Sequence, residues 1–136
     1  MRFDTKIAII VREDLATWQK LNVTAFLSSA IAAGIDEIIG EPYADASGNT
    51  YLPMIRQPIL IYAADPPALT RIHERALTRA FPTAVYIEEM FKTGNDQDNR
   101  AAVQAVTATD LPLVGLAIYG PRNPIDKTLK GLTLHP

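Results

Sequence analysis

The chain has no cysteine. That removes disulfides, thiolate metal sites and Cys nucleophiles together, and it suits a reducing compartment. Serine and histidine are scarce as well: Ser28, Ser29 and Ser47, with His73 and His135. Nothing among them makes a convincing Ser-His-Asp grouping. No apolar run approaches the ~18 residues that a membrane helix requires. The opening "MRFDTKIAIIVRED" holds too short an apolar run between its charges to read as a signal peptide. A cytoplasmic protein without a membrane partner is therefore expected. Excess positive charge is missing too. Lys and Arg number 13 against 15 Asp and Glu, a net charge of −2, which argues against a broad nucleic-acid surface and leaves room only for a local basic patch. The polar stretch "NDQDN" (95–99) lacks the Gly and distal Glu of a calcium loop, so helix capping explains it better. No metal and no cofactor are expected.

What is present is apolar patterning. The 136 residues suit a single domain, 1–136, long enough to bury roughly two-thirds of its unfolded surface. "KIAIIVR" (6–12), "PILIYAA" (58–64), "TAVYIEE" (83–89) and "LPLVGLAIYG" (111–120) are mostly continuous apolar runs, as expected of strands covered on both faces. Between them lie helical stripes. Asp14 is placed to cap a helix whose inner face is Val23, Phe26, Leu27, Ala30 and Ile31, with Gly34 at its C-terminal stop. Asp65 is placed to cap a second helix with Pro66 and Pro67 in its first turn and Leu69, Ile72, Ala76, Leu77 and Ala80 inward. His73 borders that stripe and reads as a partly buried helix histidine. Asp98 is placed to cap a third helix over "NRAAVQAVTA"; "PIDKTLK" makes a short helical turn, and "GLTLH" can add an edge strand. Residues 40–57 hold the Gly, Pro, Asp and Asn of a long loop with room for a short hairpin. The alternation predicts an α/β fold: a three-layer sandwich with a mixed, largely parallel sheet of four to five strands and helices on both faces.

In such sheets, sites gather beyond the C-terminal strand ends. Those ends predict a site built from 12–20, 63–65, 88–93 and 120–123. Lys20 offers an ammonium for an anion or oxyanion, with Thr24 one turn further along the same ridge. Alone, Lys20 reads equally as a solvated helix lysine. Glu88 and Glu89 offer a general base, or simply a charged strand end. Thr93 follows in a turn-like stretch, Asp14 and Trp18 sit at the first junction, and Arg122 sits beyond the fourth strand.

The segments "IIVREDL…QK", "QPILIYAADPPALTRIHERA…TAVYIEE" and "LPLVGLAIYGPRNPIDKTLKGLTL" together resemble type II peptidyl-tRNA hydrolases. They look closest to the Domain of Unknown Function 2000 family, which is similar to a divergent branch of those enzymes. The resemblance implies a type II peptidyl-tRNA hydrolase-like fold, a homodimer, and roles for three residues. Lys20 would steady charge on the attacked carbonyl, Glu89 would orient or deprotonate water, and Thr93 would position it. Asp14, Trp18, Thr24 and Arg122 would contact a substrate: tRNA or another small anionic ligand. Departures are visible at "ATWQK", which lacks the family's glycines and first lysine, and at Glu89, where the enzymes carry Asp. They favour a binding or scaffold protein that kept the fold and altered the site. The alternative is a hydrolase of an ester or amide on tRNA, a nucleotide or another anionic carrier.

Overall fold

The computed structural model describes residues 2–136. Strand β1 (Thr5–Arg12) enters helix α1 (Thr17–Gly34), which ends in a 3-10 turn at Asp36–Ile38. A projecting hairpin of β2 (Tyr43–Ala44) and β3 (Thr50–Tyr51) follows, as the loop composition expects. Then come β4 (Ile59–Ala64), α2 (Pro66–Thr78), β5 (Thr83–Ile87), a 3-10 turn at Glu88–Phe91, α3 (Asp96–Gln104), β6 (Leu113–Pro121), α4 (Arg122–Thr128) and β7 (Thr133–Leu134). Five strands form one sheet in the order β5-β6-β1-β4-β7.

The sheet is mixed but not largely parallel. Among the described residues only β1 and β4 pair in parallel, from Ile7↔Ile59 to Arg12↔Ala64. β6 lies between β5 and β1 and runs against both, and β7 runs against β4. The cause is the excursion between β5 and β6. It leaves the sheet at Ile87 and returns beside it, where Ile87 pairs with Leu113 and the Glu88 N–H donates to the Pro112 carbonyl at 3.1 Å. A chain that re-enters at the end it left must run back the other way. Apolarity cannot reveal this, because burial on both faces is the same in either direction.

Alternation along β1 divides the core. Ile7, Ile9 and Val11 meet Val23, Leu27 and Ile31 of α1 on one face. Ala8 and Ile10 meet Leu69, Ile72 and Ala76 of α2 and Ile125 of α4 on the other. Each fully buried Ile or Leu contributes about 1.5–3 kcal/mol. α1 sits unusually close to the sheet at Gly115, where a Cβ would fall 2.4 Å from Val23 Cγ1 and 3.0 Å from Leu27 Cδ1. Only hydrogen fits there.

Several local expectations are corrected. Asp14 does not cap α1; Ala16 stands at the cap, and the Gln19 side chain accepts the Ala16 N–H at 3.0 Å. Gly34 is the last helical residue and has no positive φ, the helix instead tightening into the 3-10 turn. Phe26 and Leu77 face outward, and Ala80 lies beyond α2. Asn95, not Asp98, caps α3 by accepting the Asp98 N–H at 2.8 Å. Asp65 caps α2 as expected, accepting the Ala68 N–H at 2.9 Å. His73 is more deeply buried than its place beside the stripe suggests. Among the described residues, no helix is long and apolar enough to cross a membrane.

Candidate functional site

The parallel strands β1, β4 and β5 end on one edge of the sheet, and α1 starts there. Arg12, the last residue of β1, spans the junction. Its Nε donates to Asp14 Oδ1 at 2.6 Å and its Nη1 to Glu88 Oε1 at 2.9 Å. Burial disfavours the guanidinium charge, but the hydrogen bonds to Glu88 and Asp14 outweigh it, and the pKa is raised. Glu88 is thus held by Arg12. Glu89 is no longer on a strand but in the 3-10 turn, and it lines a depression of about 290 Å³ with Arg12, Asp14, Gln19 and Lys92.

Lys20 lies on another side of the helix. It lines a groove of about 370 Å³ with Val11, Thr17, Leu21, Thr24, Ile61 and His135. Its Nζ is 3.1 Å from His135 Nε2, while His135 Nδ1 is 3.0 Å from the Pro136 carbonyl oxygen. In the tautomer with the proton on Nδ1, the ring donates to Pro136 and accepts from the ammonium. Among the described residues the ion pairs are Lys6–Asp126, Arg12–Asp14, Arg12–Glu88 and Arg100–Asp96, so Lys20 has no carboxylate partner. The Thr24 hydroxyl is engaged by the Lys20 and Leu21 carbonyls at 3.0 and 2.9 Å, which leaves an oxygen lone pair for the groove.

Trp18 and Thr93 occupy a third place. They line a cavity of about 460 Å³ with Phe26, Tyr86, Phe91 and Asn99. The Thr93 hydroxyl donates to the Met90 carbonyl at 3.1 Å and also meets the Asn99 side chain, which ties the 3-10 turn to α3. Trp18 is 58% exposed and meets Phe91 edge-on, with centroids 5.7 Å apart. Residues two apart on a helix point to nearly opposite flanks. Trp18 and Lys20 do so, and α1 stands between Lys20 on one side and Glu89 and Thr93 on the other. The three candidate catalytic side chains therefore line three separate depressions.

Arg122 is further away still. Because β6 is antiparallel, its end lies at the start of β1: Pro121 pairs with Thr5, and Arg122 Nε donates to the Phe3 carbonyl at 2.9 Å. The length of an eight-residue strand, roughly 23 Å, separates that end from Arg12. His135 is the residue that sequence reasoning missed. The expected edge strand does form, but only its register brings His135 to Lys20: Ala63 pairs with Thr133, and the His135 N–H donates to the Ile61 carbonyl at 2.8 Å.

The family model for "Protein of unknown function (DUF2000)" matches residues 5–136. This chain belongs to the DUF2000 family. A solved structure, a protein of unknown function from Agrobacterium tumefaciens strain C58, is 52% identical, with a TM-score of 0.95 over 99% of this chain and 100% of that one. No curated protein matches the chain. DUF2000 is thus represented here by a mixed five-stranded sheet with four helices, whose parallel-strand edge carries the Arg12 and Lys20 clusters.

Proposed function

We propose that this DUF2000 protein is a cytoplasmic binding protein for a small anionic ligand, taken up in the groove of Lys20 and His135. One observation carries the reading. The Lys20 ammonium lies 3.1 Å from His135 Nε2 and, among the described residues, pairs with no Asp or Glu side chain, so an incoming carboxylate or phosphate gains a charge-assisted bond. Thr17 and Thr24 add hydroxyl oxygens, and Val11, Leu21 and Ile61 provide apolar walls. That mix of apolar lining and few polar groups suits a small ligand better than a tRNA backbone, whose affinity rests on many cations.

The test is calorimetric titration with inorganic phosphate, acetate and citrate. At least one should bind saturably, and Lys20→Ala should weaken it about tenfold or more. Affinity unchanged in Lys20→Ala would overturn the reading. The hydrolase alternative retains one supporting observation: an imidazole beside an ammonium can orient a water while the ammonium holds an oxyanion. Glu89 and Thr93, across α1, would act in it only if the helix moved. Robust turnover of peptidyl-tRNA, measured beside a true type II enzyme, would favour that alternative.

A homodimer is part of the proposal. The hairpin exposes Tyr43, Tyr51, Leu52 and Met54 together, the kind of aromatic and Met-rich patch that interfaces use. Trp18 is not grouped with them, since the 18 residues of α1 put roughly 25 Å between Trp18 and the chain leading to the hairpin. Light scattering at tens of micromolar should show a dimer, and Tyr43→Ser with Leu52→Ser should return it to monomer. A monomer throughout would remove this part.

A further inference from the structure

A second groove runs along the other flank of α1, between it and α3. It joins the 460 Å³ cavity beside Trp18 to one of about 590 Å³, the two sharing Phe26, Tyr86, Met90, Asp96 and Asn99. We propose that this groove binds an uncharged, flat aromatic or heteroaromatic small molecule, with the Tyr86 hydroxyl donating a hydrogen bond to it.

The walls set the shape of the occupant. Four rings form a chain along the groove: Trp18 against Phe91, Phe91 against Tyr86 at 5.2 Å, and Tyr86 against Phe26 at 6.0 Å. The ends of that chain are open, Trp18 being 58% and Phe26 55% exposed. Partly uncovered rings in edge and tilted arrangements offer faces on which another ring stacks. On the α1 side the remaining wall is Ser29, Ala30 and Ala33, small side chains that leave the space open.

Tyr86 sets the polarity. It is 6% exposed, and among the described residues no group bonds its hydroxyl. Among the described residues, every side-chain polar atom that is fully sealed from solvent has a partner. The Tyr86 hydroxyl must therefore reach the accessible surface, and the surface beside Tyr86 is the groove. A donor at the groove surface that no protein group engages is free to bond a ligand acceptor. Burial pushes the phenol pKa up, so the group remains a donor at neutral pH.

Charge excludes the ligand of the other groove. The lining holds Asp96 and Arg100, which pair with each other, and no other charged side chain. Residues 21–34 of α1 carry no charge at all. An anion finds no unpaired cation here, whereas a neutral ring finds stacking faces, the Tyr86 donor and the amides of Asn22 and Asn99.

Trp18 is the single tryptophan, so its indole N–H is one resolved NMR signal at the rim. Titration with isoquinoline and with adenosine, beside decanoate as a non-planar apolar probe, reads the groove directly. The planar probes should shift the indole signal saturably, with Tyr86→Phe weakening binding about fivefold; Trp18→Ala, which removes the reporter, should weaken it about tenfold by calorimetric titration. Both substitutions remove little packing, and retained β-sheet circular dichroism confirms that the fold is intact. The proposal is overturned if decanoate alone shifts the signal, if no probe does, or if Tyr86→Phe binds as well as the parent. It is also overturned if the signal moves with protein concentration alone, because a second copy then covers the groove.

Discussion

The two flanks of α1 use one helix for opposite chemistry. On one flank, Lys20 meets His135 in a groove with threonine hydroxyls and unpaired positive charge. On the other, Trp18 and Phe26 open a groove of rings and amides whose only two charges neutralise each other. The flanks are separated by nothing more than the helix itself, which the sheet holds down at Gly115. A helix seated this closely acts as a partition. Residues only two apart in sequence then belong to different sites, and nearness along the chain says little about shared chemistry.

The largest blow to this comparison is to lift the partition. Gly115→Val places carbon where Val23 and Leu27 already lie, and should cost about 3 kcal/mol. Chemical denaturation should show that loss, and NMR signals should shift on both flanks at once. A change confined to one flank would mean that α1 does not move as a unit. Next in size, His135→Ala should weaken anion binding about fivefold by loosening Lys20, while Trp18 signals stay in place. Shifted Trp18 signals would break the claim of independence. Smaller still is Arg12→Ala, at the seam between the flanks. Asp14 and Glu88 are exposed enough to be rehydrated, so stability should fall by about 1 kcal/mol, read from the urea midpoint.

The smallest effect comes from the far face of the sheet. Desolvation lowers the pKa of His73 from its ordinary 6.5, with the nearby Glu74 charge opposing. The unfolded chain then takes up a proton first as the pH falls. This contribution to stability is intact above about pH 6.5 and is lost progressively below it. His73→Leu should flatten that part of the stability profile between pH 7 and 5 and leave both grooves unaltered. An unchanged slope would show that His73 is solvated when protonated.

Much of this architecture is legible in the residues. Doubly buried strands announce themselves as apolar runs: β4 and β5 lie within theirs, and β1 and β6 overrun theirs by one residue, at Thr5 and Pro121. Asp65 with Pro66 and Pro67 marks the start of α2 because capping depends on local chemistry alone. Strand direction is not legible, since β6 is buried to the same extent whichever way it runs. That one property moves Arg122 to the opposite edge of the sheet. Nor is register legible in a two-residue strand, and register alone joins His135 to Lys20. Lys20 and Trp18 are visible as candidates by type, but the side of the helix each serves depends on how α1 is seated. DUF2000 membership follows from the whole chain, whereas what the site binds depends on these unreadable placements.

The place of β6 also bears on how the molecule is made. It is synthesised after β1, β4 and β5, yet it fills the gap between β5 and β1. Until residues 113–121 have left the ribosome, β5 has no strand to pair with, and one edge of β1 is bare. The parallel pair β1 and β4 can form earlier, with α1 and α2 on its faces, but α1 then covers a sheet lacking the Gly115 surface on which it rests. Nascent chains shorter than this should expose sticky strand edges and recruit chaperones. Closure of the sheet therefore rests on contacts distant in sequence, the kind that folding forms slowly.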